Sequence, residues 1–321
     1  MERRRWLLVM LAGSIWLYGV AVGHYQLFPF AQLQRLRAAV AWHPTWDSRF
    51  AEVAILSTVD GSNQKAMFLA ATEPRPLVVS LHSWSGTYAQ LDALADSIAS
   101  LGWNYIRPDV RGANDTPAAC LSPLVTSDLD DAIQYAIEHG AVDQRSIFVV
   151  GGSGGAYTAM GSYLRTRQPV NTFFAWNGIS DLQAWRNQSQ VMGSGHHQAV
   201  DKCAPTDVEA RARSPLHMPV RATRARIELF AGLHDGHSGP VPVSHSIEFF
   251  NKVAKDAAVS EQDAMRLLSR NVEPTGHVID GRAVYGAWNE PGASLVVYEG
   301  GHDVLVPHTV QRMQQLAAGA P

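Results

Sequence analysis

Charge of one sign is what this chain lacks most clearly. Its 26 Lys and Arg stand against 29 Asp and Glu, a formal net charge of −3, and its sole basic run is Arg3-Arg4-Arg5. A nucleic-acid partner therefore has no electrostatic footprint here. Neither a G-x-G-x-x-G in register nor a Lys-Ser/Thr pair follows a strand, which removes the nucleotide-binding turns. No H-E-x-x-H is present either, so His234-x-x-His237 lacks a zinc-hydrolase context and reads, with His196 and His197, as polar loop sequence. Internal repeats and low-complexity linkers are missing, so everything from about residue 50 forms one domain. Only two cysteines occur, Cys120 and Cys203, both in loop-like sequence. They are either one bridge between two loops or two small hydrophobes.

What is present is apolar. With 46% hydrophobic residues in a length of 321, the chain can bury a sizeable core. Behind Arg3-Arg4-Arg5, an uncharged stretch runs from Trp6 to Gly23, near the lower limit for spanning a bilayer. Residues 1–24 are therefore expected to be a transmembrane anchor or a signal peptide, followed by a connector over 25–50. By the positive-inside rule the rest of the chain lies across the membrane, in a periplasmic or extracellular space. Ala21-Val22-Gly23 offers a cleavage pattern, whereas Trp6, Trp16 and Tyr18 suit membrane interfaces and favour an uncleaved anchor over a secreted form.

From Ala51 onward, apolar runs alternate with helical periodicity. Two runs, 51–58 and 65–71, flank Asp60-Gly61-Ser62-Asn63 as a hairpin. Strands are expected at 76–82, 104–110, 146–150, 171–176, 227–231 and 295–298, with helices between them and a last helix over 304–318. Asp128, Asp130 and Asp131 suit the positive end of a helix capped by Thr126 or Ser127. The pattern predicts an α/β fold with a mostly parallel sheet of about eight strands, helices on both faces, over residues 51–321. Regularity lapses over 177–225, which reads as an irregular lid-like insertion above the carboxyl edge of the sheet.

The residues that carry chemistry cluster at strand ends. Ile147-Phe148-Val149-Val150 leads into Gly151-Gly152-Ser153-Gly154-Gly155 and then a helix. A strand, a Gly-x-Ser-x-Gly turn and a helix make a nucleophile elbow, so Ser153 is the candidate nucleophile. A serine hydroxyl needs a neutral imidazole to take its proton and a carboxylate to hold that imidazole. In this topology the acid and then the histidine follow later strands; Asp235 and His302 stand just past two of them. Asp181 is the rival acid. An oxyanion needs two donors, and these are the N–H of Gly154 and one from the loop His82-Ser83-Trp84-Ser85-Gly86.

These motifs resemble the α/β-hydrolase superfamily, and within it the prolyl oligopeptidase catalytic-domain and acetyl-xylan-esterase-like group. Gly151–Gly155 matches that group's serine motif, Gly232 to Pro242 its acid segment, and Gly301-His302 its terminal histidine. The resemblance implies Trp84 as the second oxyanion donor, although Ser83 stands where the usual pattern has glycine and Ser238-Gly239-Pro240 lengthens the acid segment. Ser83, Trp176, Asp181 and Trp185 are further candidates for substrate contact. No metal or organic cofactor is called for. A short connector in place of a propeller favours a carboxylic ester hydrolase acting through a seryl intermediate. A prolyl-oligopeptidase-like aminopeptidase or dipeptidyl peptidase is the alternative, with Asp181 or Glu299 holding the substrate amine. An inactive, membrane-tethered binding protein on the same scaffold is the third reading. The partners expected are a small ester or short peptide and a membrane; the sequence leaves the oligomeric state open.

Overall fold

The computed structural model describes Met10, residues 13–16, 18–19, 45–254 and 256–319. The chain divides into Met1–Trp46 and Asp47–Pro321. In the first part residues 13–16 are helical and Ser14 Oγ donates to the Met10 carbonyl at 2.9 Å. No helix of the described residues is long and apolar enough to cross a membrane; Arg3-Arg4-Arg5 and much of the Trp6–Gly23 stretch lie outside them.

The second part is built on strands β1 (Ala51–Leu56), β2 (Asn63–Leu69), β3 (Arg75–Leu81), β4 (Asn104–Pro108), β5 (Val142–Gly152), β6 (Thr172–Trp176), β7 (Arg226–Gly232), β8 (Val278–Ile279), β9 (Arg282–Glu290) and β10 (Ala293–Tyr298). They form one sheet in the order β1-β2-β4-β3-β5-β6-β7-β10-β9-β8. From β4 to β10 the pairing is parallel; both edges are antiparallel. The parallel strands are continuous apolar runs because helices cover both faces. Leu77, Val79 and Leu81 share a core cluster with Leu129 and Ala132 of α2 (Pro123–His139) and Met160 of α3 (Gly154–Arg165). On the other face lie α1 (Ala93–Ser100) and the closing α9 (Val306–Ala317), which touch each other. β3 has β4 on one side and β5 on the other, so the chain reverses direction across the sheet there. A crevice opens at the carboxyl ends of strands at such a switch point.

The sheet has ten strands, not about eight. The two extra ones, β8 and β9, form a hairpin on Asp280-Gly281, with φ +49° and +75°, and Gly292 at φ +123° turns β9 into β10. An Asp-Gly pair is a strong hairpin signal, but β9 is half-exposed and carries no unbroken apolar run to draw attention to it.

Residues 177–225 are not irregular. They fold as α4 (Leu182–Val191), α5 (His196–Cys203), α6 (Asp207–Ala212) and a 3-10 turn at Pro215–His217. Each is short, and two are capped by side chains: Asp181 accepts from Gln183 N and Ala184 N at the start of α4, while Thr206 and Glu209 form a reciprocal capping box on α6. Helix α2 also begins earlier than expected, at Pro123, which moves its aspartates off the helix end. Asp128 is buried and accepts from Ser57 Oγ at 2.6 Å and from the Arg111 guanidinium; Asp131 accepts from Thr58 N at 2.9 Å, and Asp130 from Arg167 N at 3.1 Å. They tie loops to the helix rather than answer its dipole.

Two helices complete the second part, α7 (Ser244–Val253) and α8 (Glu261–Leu268). Cys120 and Cys203 are bonded, joining the loop before α2 to the end of α5 across a sequence separation of 83. Closing a loop of that length restricts the unfolded chain by roughly 4–5 kcal/mol. A Cys120→Ala/Cys203→Ala double variant is expected to lose about that much stability in urea denaturation; a loss under about 1 kcal/mol would show that the bridge constrains little.

Candidate active site

Ser153 sits between β5 and α3 at φ +57°, ψ −119°, a region that non-glycine residues rarely occupy. Its neighbours leave no alternative. A Cβ at Gly151 would lie 2.2 Å from the Gly155 carbonyl carbon, one at Gly155 would lie 2.6 Å from Leu81 O, and one at Gly154 would lie 2.4 Å from Trp84 N. The Ser153 N–H is pinned to Trp176 O at 2.9 Å. The glycine spacing thus exists because β5, α3 and the loop after β3 meet backbone to backbone.

That meeting brings the N–H groups of Gly154 and Trp84 together. Trp84 N has no acceptor among the described residues, and Gly154 opens α3, where an N–H has no partner within the helix. An oxyanion hole requires two free donors of this kind.

Asp235 and His302 are in direct contact. His302 Nδ1 lies 2.6 Å from Asp235 Oδ2, and the other carboxylate oxygen accepts from Gly236 N at 3.0 Å and Val241 N at 3.1 Å. The Asp235 side chain is 1% exposed against 25% for His302, so the acid is sealed and the imidazole is reachable. The lengthened acid segment has a use here, since a Cβ at Gly239 would fall 2.2 Å from Asp235 Oδ1. With Nδ1 engaged, Nε2 is the nitrogen left for chemistry. His302 and Ser153 line one cavity of about 330 Å³, with Ser83, Gly152, Asn177 and Val304 also in its wall.

Asn177 is the residue that sequence reasoning missed. Buried at φ +52° just past β6, it accepts from Gly232 N at 2.8 Å and donates through Nδ2 to Asp303 O at 2.6 Å; its own N–H reaches Phe230 O. One amide therefore fixes the end of the acid-bearing strand and the loop carrying His302. The only prior sign was an asparagine at a strand end, a residue type that tolerates φ above zero.

Other candidates resolve differently. Trp176 is fully buried and stacked on Phe230 at 4.0 Å, which makes it core rather than a substrate wall. Asp181 is committed to capping α4 and to His217 Nε2 at 3.0 Å. His234 pairs with Glu299 at 2.7 Å, and His237 meets the Leu268 carbonyl at 3.1 Å. Trp185, although buried, donates to Pro240 O in the acid segment and packs 4.7 Å from Trp84 and 5.1 Å from His196. Burial and the nearby His302 both hold His196 below the usual imidazole range. The helical insertion thus backs the site through Trp185 and His196.

The insertion is held down by His245 of α7. Its Nδ1 faces the N–H groups of Ser180 and Asp181 at 3.3 and 3.4 Å and its Nε2 lies 2.9 Å from Gln188 Oε1 of α4. This fixes the neutral form with Nδ1 accepting, and burial pushes the ring down to about 4. Because the folded pKa lies below the unfolded value of about 6.5, the unfolded chain binds the extra proton as pH falls. The contribution is complete above pH 6.5 and is lost as pH falls toward 4, amounting to roughly 3 kcal/mol. Denaturation at stepped pH is expected to show that acid loss in the native chain and a flatter slope in His245→Gln; parallel slopes would contradict the assignment.

A sequence profile of the α/β hydrolase fold family matches residues 76–316. Comparison with curated protein sequences gives no match. Among solved structures the chain is similar to a puromycin hydrolase, with 17% identity and TM-score 0.58 over 88% of this chain and 41% of that one. It is similar also to the acylaminoacyl peptidase of Pyrococcus horikoshii (14%, 0.57, 89% and 42%) and to a puromycin-hydrolyzing peptidase of Mycobacterium tuberculosis (18%, 0.54, 85% and 39%). The chain spans about two-fifths of the length of these proteins, and at such identities the likeness is one of fold. The profile match covers most of the chain and contains the elbow, the acid and the histidine: the chain belongs to the α/β hydrolase fold family.

Proposed function

We propose that the protein is a serine hydrolase that cleaves short peptide or amide substrates by acyl transfer to Ser153. The observation that carries this reading is the 2.6 Å contact of Asp235 with His302 Nδ1, which leaves Nε2 for the cavity that Ser153 also lines. In the first step His302 takes the hydroxyl proton as Ser153 Oγ bonds to the substrate carbonyl carbon. The N–H groups of Gly154 and Trp84 carry the oxyanion, and the imidazolium returns its proton to the leaving group. Water then repeats the sequence on the seryl ester. Buried Asp235 holds one tautomer and stabilises the imidazolium throughout.

A peptide or amide substrate is preferred to the ester expected from the sequence because the similar solved structures are named as peptidases and a puromycin hydrolase. Asp181 and Glu299, the carboxylates considered for holding a substrate amine, are both engaged by protein partners. This supports an N-blocked substrate over a free N-terminus. We also read Trp6–Gly23 as an export or anchoring segment, a reading the Cys120–Cys203 bridge supports, since such bonds persist in oxidising compartments.

Two outcomes test the reading. His302→Ala is expected to lower kcat by about a thousandfold or more with the fold retained; unchanged turnover would remove His302 from the mechanism. N-acylated amino-acid p-nitroanilides are expected to be cleaved, and more readily than their free-amine counterparts. Hydrolysis of p-nitrophenyl acetate without any anilide cleavage would return the assignment to an esterase.

A further inference from the structure

His302 stands at the end of a segment with little of its own to hold it. Gly300 and Gly301 precede it and bring no side chain to pack, yet its imidazole has to serve Asp235 and Ser153 at once. The residues that bracket this segment, Glu299 and Asp303, are both gripped by side chains of β9. That strand lies outside the parallel part of the sheet and has no part in the proposed mechanism.

Arg282, the first residue of β9, spans the segment. Its Nη1 donates to Asp303 Oδ2 at 2.8 Å and to the Glu299 carbonyl at 3.4 Å, and the same Asp303 oxygen accepts from Gly301 N at 3.3 Å. One guanidinium and one carboxylate thus close a ring on residues 299–303, with His302 inside it. A Cβ at Gly300 would lie 2.5 Å from Tyr298 Cε2 and 2.9 Å from Arg282 Nη1, and φ at Gly300 is not positive. Glycine is therefore needed there for close approach of the guanidinium, not for backbone conformation. Tyr285, three residues along β9, donates its hydroxyl to Glu299 Oε2 at 2.6 Å, while Glu299 Oε1 meets His234 Nε2, beside Asp235, at 2.7 Å. The Arg282 and Asp303 side chains are 37% and 45% exposed, and an ion pair so placed adds little to stability. Its position next to the imidazole is another matter, because a displacement of about 1 Å in a reacting group can cost roughly a hundredfold in rate.

Building on the reading of His302 as the base for Ser153, we propose that Arg282 is a positioning residue: by pairing with Asp303 across the Gly300–His302 segment, it fixes the imidazole where proton transfer from Ser153 requires it. The β8–β9 hairpin then serves catalysis although none of its side chains lines the cavity of the catalytic pair.

Steady-state kinetics of full-chain variants on a p-nitrophenyl ester or p-nitroanilide that the native protein hydrolyses, with Tm measured alongside, test this. Arg282→Met is expected to lower kcat by about tenfold to a hundredfold while KM changes by less than about twofold. Its Tm is expected to fall by no more than a few degrees. Arg282→Lys, whose ammonium can still pair with Asp303, is expected to recover part of the lost kcat. The double variant Arg282→Met/Asp303→Asn is expected to be no worse than Arg282→Met, since the two side chains act through one contact. As a control, Arg145→Met breaks an exposed pair with Asp143 at the other end of β5 from Ser153 and is expected to leave kcat unchanged. An unchanged kcat in Arg282→Met, or a loss confined to KM, would overturn the role of Arg282 and leave the catalytic reading intact. A lysine variant no better than the methionine one would overturn the ion pair as the cause. Should Arg282→Met fail to fold, the near-isosteric Asp303→Asn decides by the same split between kcat and KM. No turnover of any ester or anilide by the native protein would overturn the catalytic reading and this proposal with it.

Discussion

The backbone of Ser153 is held where a side-chain-bearing residue costs about 1–3 kcal/mol to place, and the rest of the site is arranged around that conformation. It persists because three backbones crowd it: Gly151 against Gly155, Gly155 against Leu81, and Gly154 against Trp84. Relaxing φ at 153 would require those backbones to separate, and they belong to two central strands and the helix α3 packed against them. The same crowding brings the backbones of Gly154 and Trp84 together next to the turn that carries Ser153. Strain and electrostatic preparation are therefore one structural fact.

The partners of Ser153 come from strands farther along the sheet, and they need a separate means of registration. Asp235 follows β7 and His302 follows β10, which are neighbours, while Asn177 follows β6 on the other side of β7. By bonding Gly232 N and Asp303 O, Asn177 ties the acid-bearing and histidine-bearing ends to the strand whose last carbonyl holds Ser153 N. Tyr298 adds a second bond to Asp303 O. The insertion over 177–225 stands on the same corner, with His245 beneath it and Trp185 against Trp84.

Much of this was legible in the residues, for reasons that differ from place to place. The elbow was readable because close backbone approach demands glycine at fixed positions. Asp235 and His302 were readable because parallel strands end where chemistry gathers. Trp176 stayed open between substrate wall and core because an aromatic residue at a strand end looks the same whether it faces a ligand or Phe230. Asp181 was singled out as an acid, but a carboxylate before a helix is equally a cap, and the helices of 177–225 were too short for periodicity to reveal. Asn177 went unnoticed because its importance lies in partners more than 20 residues away, Gly232 and Asp303. The β8–β9 hairpin was announced by Asp280-Gly281 and passed over because β9 is only half-buried.

The central claim is that the hydroxyl of Ser153 is activated by His302 in the cavity they share. Reaction of the folded protein with a fluorophosphonate, followed by peptide mass mapping, tests it most directly. One adduct is expected, on the peptide containing Ser153, with a rate of formation that falls sharply in Asp235→Ala. A folded protein that stays unlabelled, or one labelled at another serine, would contradict it.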